Sequence, residues 1–314
     1  MSGFEISPLT STRFGLGEGP FFDPNSSKLY IVDCFVGNFV SIHTETKEEE
    51  LINFSPHVVT FIIPTVSDDD KFIVSRNNHV CSLKWSTKEL TSFMSVEDDE
   101  GTRFNDAKCD SKGRLWAGTM SGSEWIPPGK GSLYKIIPSN KDGGKKISIQ
   151  KEFSPVILSN GITWTLDDTR MFFVDSMKKV VYKFNYDIET GNATDPQIFL
   201  DFVSTPEAAG VPDGMTIDSD GKLWLACYGG AKILRIDPET AKVTSTVTMP
   251  CPNMTSLTFG GPNFQTIFAT SARSDDNSSP THGSDSNLGG TVFAITSTRE
   301  NIRGTQSFRF NDRI

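Results

Sequence analysis

Six times in its 314 residues the chain repeats one short phrase, a polar turn followed by an apolar run of strand-like composition. The phrase reads Ser27–Asp33, Asp70–Arg76, Gly113–Thr119, Thr169–Asp175, Gly221–Cys227 and Gln265–Ser271. Its first apolar positions are Leu29, Phe72, Leu115, Met171, Leu223 and Ile267, spaced by 43, 43, 56, 52 and 44 residues. A second alternating run follows each phrase, beginning with Phe39–Ile42 and ending with Thr291–Ile295. A third precedes each, from Gly19–Phe22 to Thr255–Phe259, with Val59–Ile63 in the second unit. Period-two alternation bounded by turn residues predicts hairpins. No stretch carries a helical period.

A repeat of roughly 40–50 residues with three or four strands is the signature of a propeller blade. One such sheet cannot bury both its faces, so blades must pack on one another around an axis. The whole chain, residues 1–314, is therefore expected to form an all-β, six-bladed β-propeller around a central metal-binding channel. A sandwich of roughly seven strands does not accommodate six near-equal units. A terminal strand should complete the sixth blade, with Phe4–Leu9 and Ser307–Phe310 as candidates. Two Pro-, Gly- or Ser-rich stretches, Ser121–Gly131 and Ser274–Gly290, break the rhythm and suit loops that shape a substrate mouth.

The repeat also gives polar residues a common phase. Counting back ten or eleven places from each first apolar residue reaches Glu18, Phe61, Asn105, Asn160, Asp213 and Ser256. The innermost strand of every blade lines the channel, so these positions converge although they are far apart in the chain. Singly, Asn160-Gly161 and Asp213-Gly214 read as turn dipeptides. In common phase, two carboxylates and two amides form a set of hard oxygen donors suited to Ca²⁺ or Mg²⁺. A cation is also the natural counter-charge for two carboxylates in one channel. Ca²⁺ is the first expectation, and Zn²⁺, Mn²⁺ or Mg²⁺ could also be held. Arg103 lies two residues before Asn105 and so on the same strand face, where its guanidinium can hold substrate oxygens.

Composition narrows the partners. The net charge of −9 argues against nucleic acid. No run of about 18 apolar residues offers a membrane span, and the first residues lack the basic and apolar regions of a secretory signal. Five scattered cysteines (Cys34, Cys81, Cys109, Cys227 and Cys251) without a Cys-x-x-Cys pair read as reduced thiols, so a cytoplasmic location is expected. A ring-closed propeller needs no partner, and monomer is the default.

Gly17-Glu-Gly-Pro20, Arg103-Phe-Asn-Asp106, Trp116-Ala-Gly-Thr-Met120, Ser159-Asn-Gly161 and Pro212-Asp-Gly-Met215 together resemble the senescence marker protein/regucalcin/gluconolactonase family. Phe259-Gly-Gly-Pro262, Thr270-Ser-Ala272 and Gly289-Gly290 extend the likeness over nearly the whole chain. Phe61-Ile-Ile-Pro64 and Ser256–Pro262 look most like the insect luciferin-regenerating branch. The resemblance implies one divalent cation held by Glu18, Asn160 and Asp213, with Arg103 and Asn105 binding substrate. It also exposes a departure. Sugar-lactone members carry a substrate-binding glutamate where this chain has Ser123, and Glu124 stands one residue beyond as the candidate replacement.

The expected activity is metal-dependent hydrolysis of a small cyclic ester, first among them a sugar lactone such as gluconolactone. Asp213 is expected to be both ligand and catalytic base. The alternatives are a non-catalytic Ca²⁺-binding regulatory protein and a luciferin-regenerating type of enzyme acting on an apolar substrate.

Overall fold

The computed structural model describes residues 3–96, 101–121, 129–139, 146–273 and 288–313. Its strands form six four-stranded antiparallel sheets. β1 (Phe4–Pro8) stands apart from the next four strands, which make the first blade: β2 (Gly17–Asp23), β3 (Lys28–Asp33), β4 (Asn38–His43) and β5 (Glu49–Asn53). The second blade is β6 (Ile62–Pro64), β7 (Lys71–Arg76), β8 (His79–Lys84) and β9 (Glu89–Ser95). The third is β10 (Thr102–Cys109), β11 (Leu115–Ser121), β12 (Gly131–Ser139) and β13 (Lys146–Val156). The fourth runs β14 (Ser159–Trp164), β15 (Arg170–Asp175), β16 (Val180–Asp187) and β17 (Asn192–Asp201). The fifth runs β18 (Val211–Ile217), β19 (Leu223–Tyr228), β20 (Lys232–Ile236) and β21 (Val243–Thr248). The last joins β22 (Met254–Gly260), β23 (Thr266–Ser271) and β24 (Phe293–Ser297) to β1 at its outer edge.

This is the expected six-bladed propeller, and the repeated phrase is the second strand of every blade. Aromatic side chains seal the blades to one another. Trp116 of the third blade meets Trp164 of the fourth at 6.2 Å between ring centres. Trp224 of the fifth meets Phe259 of the sixth at 5.8 Å, and Phe61 meets Phe104 between the second and third at 5.7 Å. Edge-on ring pairs of this kind add about 0.5–1.5 kcal/mol each beyond their burial. All five cysteines are buried and free. Among the described residues no helix is long and apolar enough to cross a membrane.

Two expectations are corrected. The ring is closed by Phe4–Pro8 alone, paired with Ser297–Phe293. The other candidate, Ser307–Phe310, is not a strand: the C-terminal segment crosses the far end of the channel. There Gly304 bridges to Asp218 and Phe310 to Thr65, and Phe310 is buried (1% exposed) among side chains of the second and third blades. Second, β6 begins at Ile62 rather than Val59, because the Thr60 and Phe61 N–H groups go to the Ser75 hydroxyl (2.7 and 3.3 Å) instead of to a ladder. The fourth strand of each blade completes the expected three or four, and the outermost strands β5, β9, β17 and β21 carry largely exposed, polar sequences, so no apolar alternation announced them.

Candidate active site at one end of the channel

The innermost strands are β2, β6, β10, β14, β18 and β22, and five of them bulge at the same place. Pairing with the second strand slips between Glu18 and Phe21, Phe104 and Ala107, Ser159 and Ile162, Pro212 and Met215, and Met254 and Leu257. Asn105, Asn160, Asp213 and Ser256 lie inside these slips, and Glu18, paired with Val32, stands at the edge of its own. A bulge turns a side chain that regular pleating would send between blades, which is how five sequence-distant residues come to line one channel. The second blade has no such slip, and its phase-matched residue, Phe61, is buried against Phe104.

The two glycines of the apparent turn dipeptides serve close packing, since neither has positive φ. A Cβ on Gly161 would stand 2.6 Å from Met215 Cβ and 2.7 Å from the Asp213 carbonyl oxygen. A Cβ on Gly214 would stand 2.1 Å from Ser256 Oγ. The strand after each polar residue therefore presses directly on the next blade. Buried acids fix the approach to two of these strands. Asp33 accepts the N–H groups of Gly15 and Leu16 (both 3.0 Å), and Asp175 those of Ile157 and Leu158 (3.0 and 3.2 Å).

Hydrogen bonds then link the third and fourth blades across the site. Asn105 Nδ2 donates to the Ser159 carbonyl at 2.8 Å and to Asn160 Oδ1 at 3.3 Å. Arg103 Nη1 donates to Asn105 Oδ1 at 3.0 Å. Asn160 Nδ2 donates to Ser176 Oγ at 3.0 Å, which directs the amide oxygen away from Ser176. Asn105 thus accepts from Arg103 and donates across to the fourth blade, so its side chain bridges the two blades.

The carboxylates are left poorly compensated. Burial, then the nearby Asp106, pushes the Glu18 carboxyl up to about 8, against the pull of the Gly19 N–H and Arg103. Burial, then Glu18 and Asp106, holds Asp213 well above the usual carboxylate range. Asp213 Oδ1 is buried and has no hydrogen-bond partner. Such an atom costs about 1–3 kcal/mol of lost hydration, and more if charged. A divalent cation would remove both penalties, so the donors present fit one: Glu18, Asn160 and Asp213 would hold it. Among the described residues no three His, Cys, Asp or Glu side chains are grouped closely enough to hold a metal ion by themselves, so the set would draw on the Asn160 amide oxygen.

The structure thus brings together Glu18, Arg103, Asn105, Asn160 and Asp213. Glu124 lies outside the described residues, as do Ser123 and most of both long loops. Sequence reading passed over two charged neighbours, Asp106 and Lys108. Both line a small cavity of about 30 Å³ farther down the channel, with Gly19, Met215 and Ser256. Lys108 Nζ donates to the Met215 carbonyl at 2.8 Å, and burial lowers its pKa to about 8 against the opposing pull of Asp106. A charged pair at i and i+2 inside an innermost strand was the signal for them, since those two side chains share a face.

Comparison with known proteins agrees with this fold. The family model described as "SMP-30/Gluconolactonase/LRE-like region" matches residues 16–273. The chain is 32% identical to regucalcin of Xenopus laevis over 278 residues, covering 87% of this chain and 88% of the relative. It is 33% identical to regucalcin of Gallus gallus over the same length and coverage. A solved luciferin-regenerating enzyme superposes with a TM-score of 0.86 at 29% identity, covering 98% of this chain and 99% of the other. Regucalcin of Agrobacterium tumefaciens, described as a calcium-binding protein, shares the fold with a TM-score of 0.84 at 24% identity and 98% coverage of each chain. By the extent of the model match and the identity of these relatives, the chain belongs to the SMP-30/gluconolactonase/LRE-like family.

Proposed function

We propose that the protein is a divalent-cation-dependent hydrolase of small cyclic esters, a lactonase, with Ca²⁺ as the first candidate ion. The observation that carries the reading is Asp213 Oδ1, a carboxylate oxygen buried without a partner and within electrostatic reach of Glu18. Glu18, Asn160 and Asp213 hold the ion, which when bound supplies Lewis-acid polarisation of the ester carbonyl. Arg103 presents a planar fork of N–H donors for substrate oxygens, and Asn105 keeps it in place. Asp213 takes a proton from the attacking water. The water oxygen bonds to the carbonyl carbon, the ring C–O bond breaks, and the ring oxygen leaves with the proton that Asp213 took, giving an open hydroxy acid and restoring the base.

Relatives named regucalcin, one of them described as calcium-binding, favour a second reading, a cation-binding protein without turnover. A lactone panel headed by gluconolactone, assayed with and without chelator, separates the two. Turnover that disappears on chelation and returns with the ion supports the hydrolase. Tight Ca²⁺ retention with no turnover on any lactone overturns it in favour of the binding protein.

A further inference from the structure

Two turns beside the candidate site hold large apolar side chains out in solvent. Phe35 is 62% exposed and Val36 45%, in the turn between β3 and β4. Met177 is 56% exposed, in the turn between β15 and β16. Strand register puts both turns at the site end of the channel: Gly17 lies opposite Asp33, and Ser159 opposite Asp175. Each apolar residue adjoins one that senses the site. Cys34, just before Phe35, feels the charges of Glu18 and Arg103. Ser176, just before Met177, accepts the hydrogen bond of Asn160. In a ring of six blades the first and the fourth stand across the axis from one another, so the two turns face each other over the mouth.

The placement distinguishes these residues from the other exposed apolar side chains. Leu51, Phe93 and Ile198 sit on outermost strands, and Val203 follows the end of the last of these strands by two residues, all on the circumference. Leu166 lies in the turn at the opposite end of β14, and Phe308 in the C-terminal segment that crosses that end. Scattered single exposures are ordinary, whereas apolar groups gathered round a site mark a ligand surface. Tight turns also favour Gly, Asn, Asp and Ser, so a Phe-Val pair there has no local conformational reason.

We propose that Phe35, Val36 and Met177 form a two-sided apolar rim that receives a substituent of the cyclic ester. The preferred substrate is then a lactone whose ring carries an alkyl or aryl arm, rather than a fully hydroxylated sugar lactone. The inference rests on the hydrolase reading above. The ester lies against Arg103 and Asn105, and the arm passes outward between the two turns. Moving one methylene from water to an apolar surface is worth up to about 0.8 kcal/mol, or roughly fourfold. On a half-open rim roughly twofold per methylene is expected.

The test measures kcat/KM at saturating cation for δ-lactones with side arms from none to hexyl, with gluconolactone alongside. For the wild type, kcat/KM should climb roughly twofold per methylene over the shorter arms. For the Phe35→Ala/Met177→Ala double variant, checked for an unchanged melting temperature, the ratio of hexyl to unsubstituted lactone should collapse by about tenfold. A flat wild-type series, or a double variant that keeps the ratio, overturns the rim while turnover of gluconolactone leaves the hydrolase reading standing. Absence of turnover on every lactone overturns both.

Discussion

Lys108 Nζ reaches the backbone carbonyl of Met215 at 2.8 Å and so ties β10 to β18, two innermost strands separated in the ring by a third. Met215 is two residues beyond Asp213, which makes this tether part of what sets the position of the candidate catalytic carboxylate. Lys108→Met would leave that carbonyl without its charged donor and Asp106 without its counter-charge. We expect a loss of about 2–4 kcal/mol in urea unfolding. Much of it should return in the Lys108→Met/Asp106→Asn double variant, because the uncompensated acid is then gone.

Asp213→Asn should separate stability from turnover. The amide removes one of two mutually repelling carboxylates, so the chelator-treated variant should melt above chelator-treated wild type. Lactone turnover should fall by about 10²–10⁴-fold, the usual contribution of a positioned base. Turnover near wild type, with calorimetry showing lost cation binding, would rule out the assigned role.

The pH dependence of the cation-free protein follows from Glu18. Its ordinary value is 4.5, and the fold raises it to about 8. Between those values the folded chain holds a proton that the unfolded chain has released. Stability therefore falls as pH rises through that window, is fully present below 4.5, and is lost above about 8. A bound divalent cation favours the ionised carboxylates and opposes the trend. Calorimetric melting of chelated protein should show a lower transition at pH 8 than at pH 5. Added Ca²⁺ should raise the transition more at the higher pH.

Gly161→Ala tests whether close strand packing, rather than turn formation, explains the glycine. The new methyl would meet Met215 and the Asp213 carbonyl at 2.6–2.7 Å, mostly backbone that cannot swing aside. Overpacking of this kind costs about 1–3 kcal/mol. Because the displaced strand carries Asp213, cation affinity measured by calorimetry should weaken as well. Wild-type stability and affinity in this variant would mean that the blades have slack at that point.

The architecture was legible because a propeller writes its fold into periodicity. The second strand of every blade is buried on both faces, so Leu29–Val32 or Leu223–Cys227 had to be continuous apolar runs. Their regular spacing counted the blades. The outermost strands were silent for the same reason: Glu89–Ser95 and Asn192–Asp201 face solvent, and nothing forces their side chains to alternate. Phe310 was misread as closing-strand sequence because one buried aromatic in a crossing segment looks like one in a strand.

The site divides in the same way. Repeat phase alone aligned Glu18, Asn105, Asn160 and Asp213, since equivalent places in equivalent blades must meet near the axis. Tertiary structure decided what each does there: Asn105 links its blade to Ser159 and Asn160 of the next, Asp213 is left with an oxygen that nothing satisfies, and Lys108 spans the channel to hold the strand behind it. Periodicity fixes which residues share a radius, because it repeats the backbone. Hydrogen-bond partners and burial depend on contacts between blades far apart in the chain, and only closure of the ring brings those together.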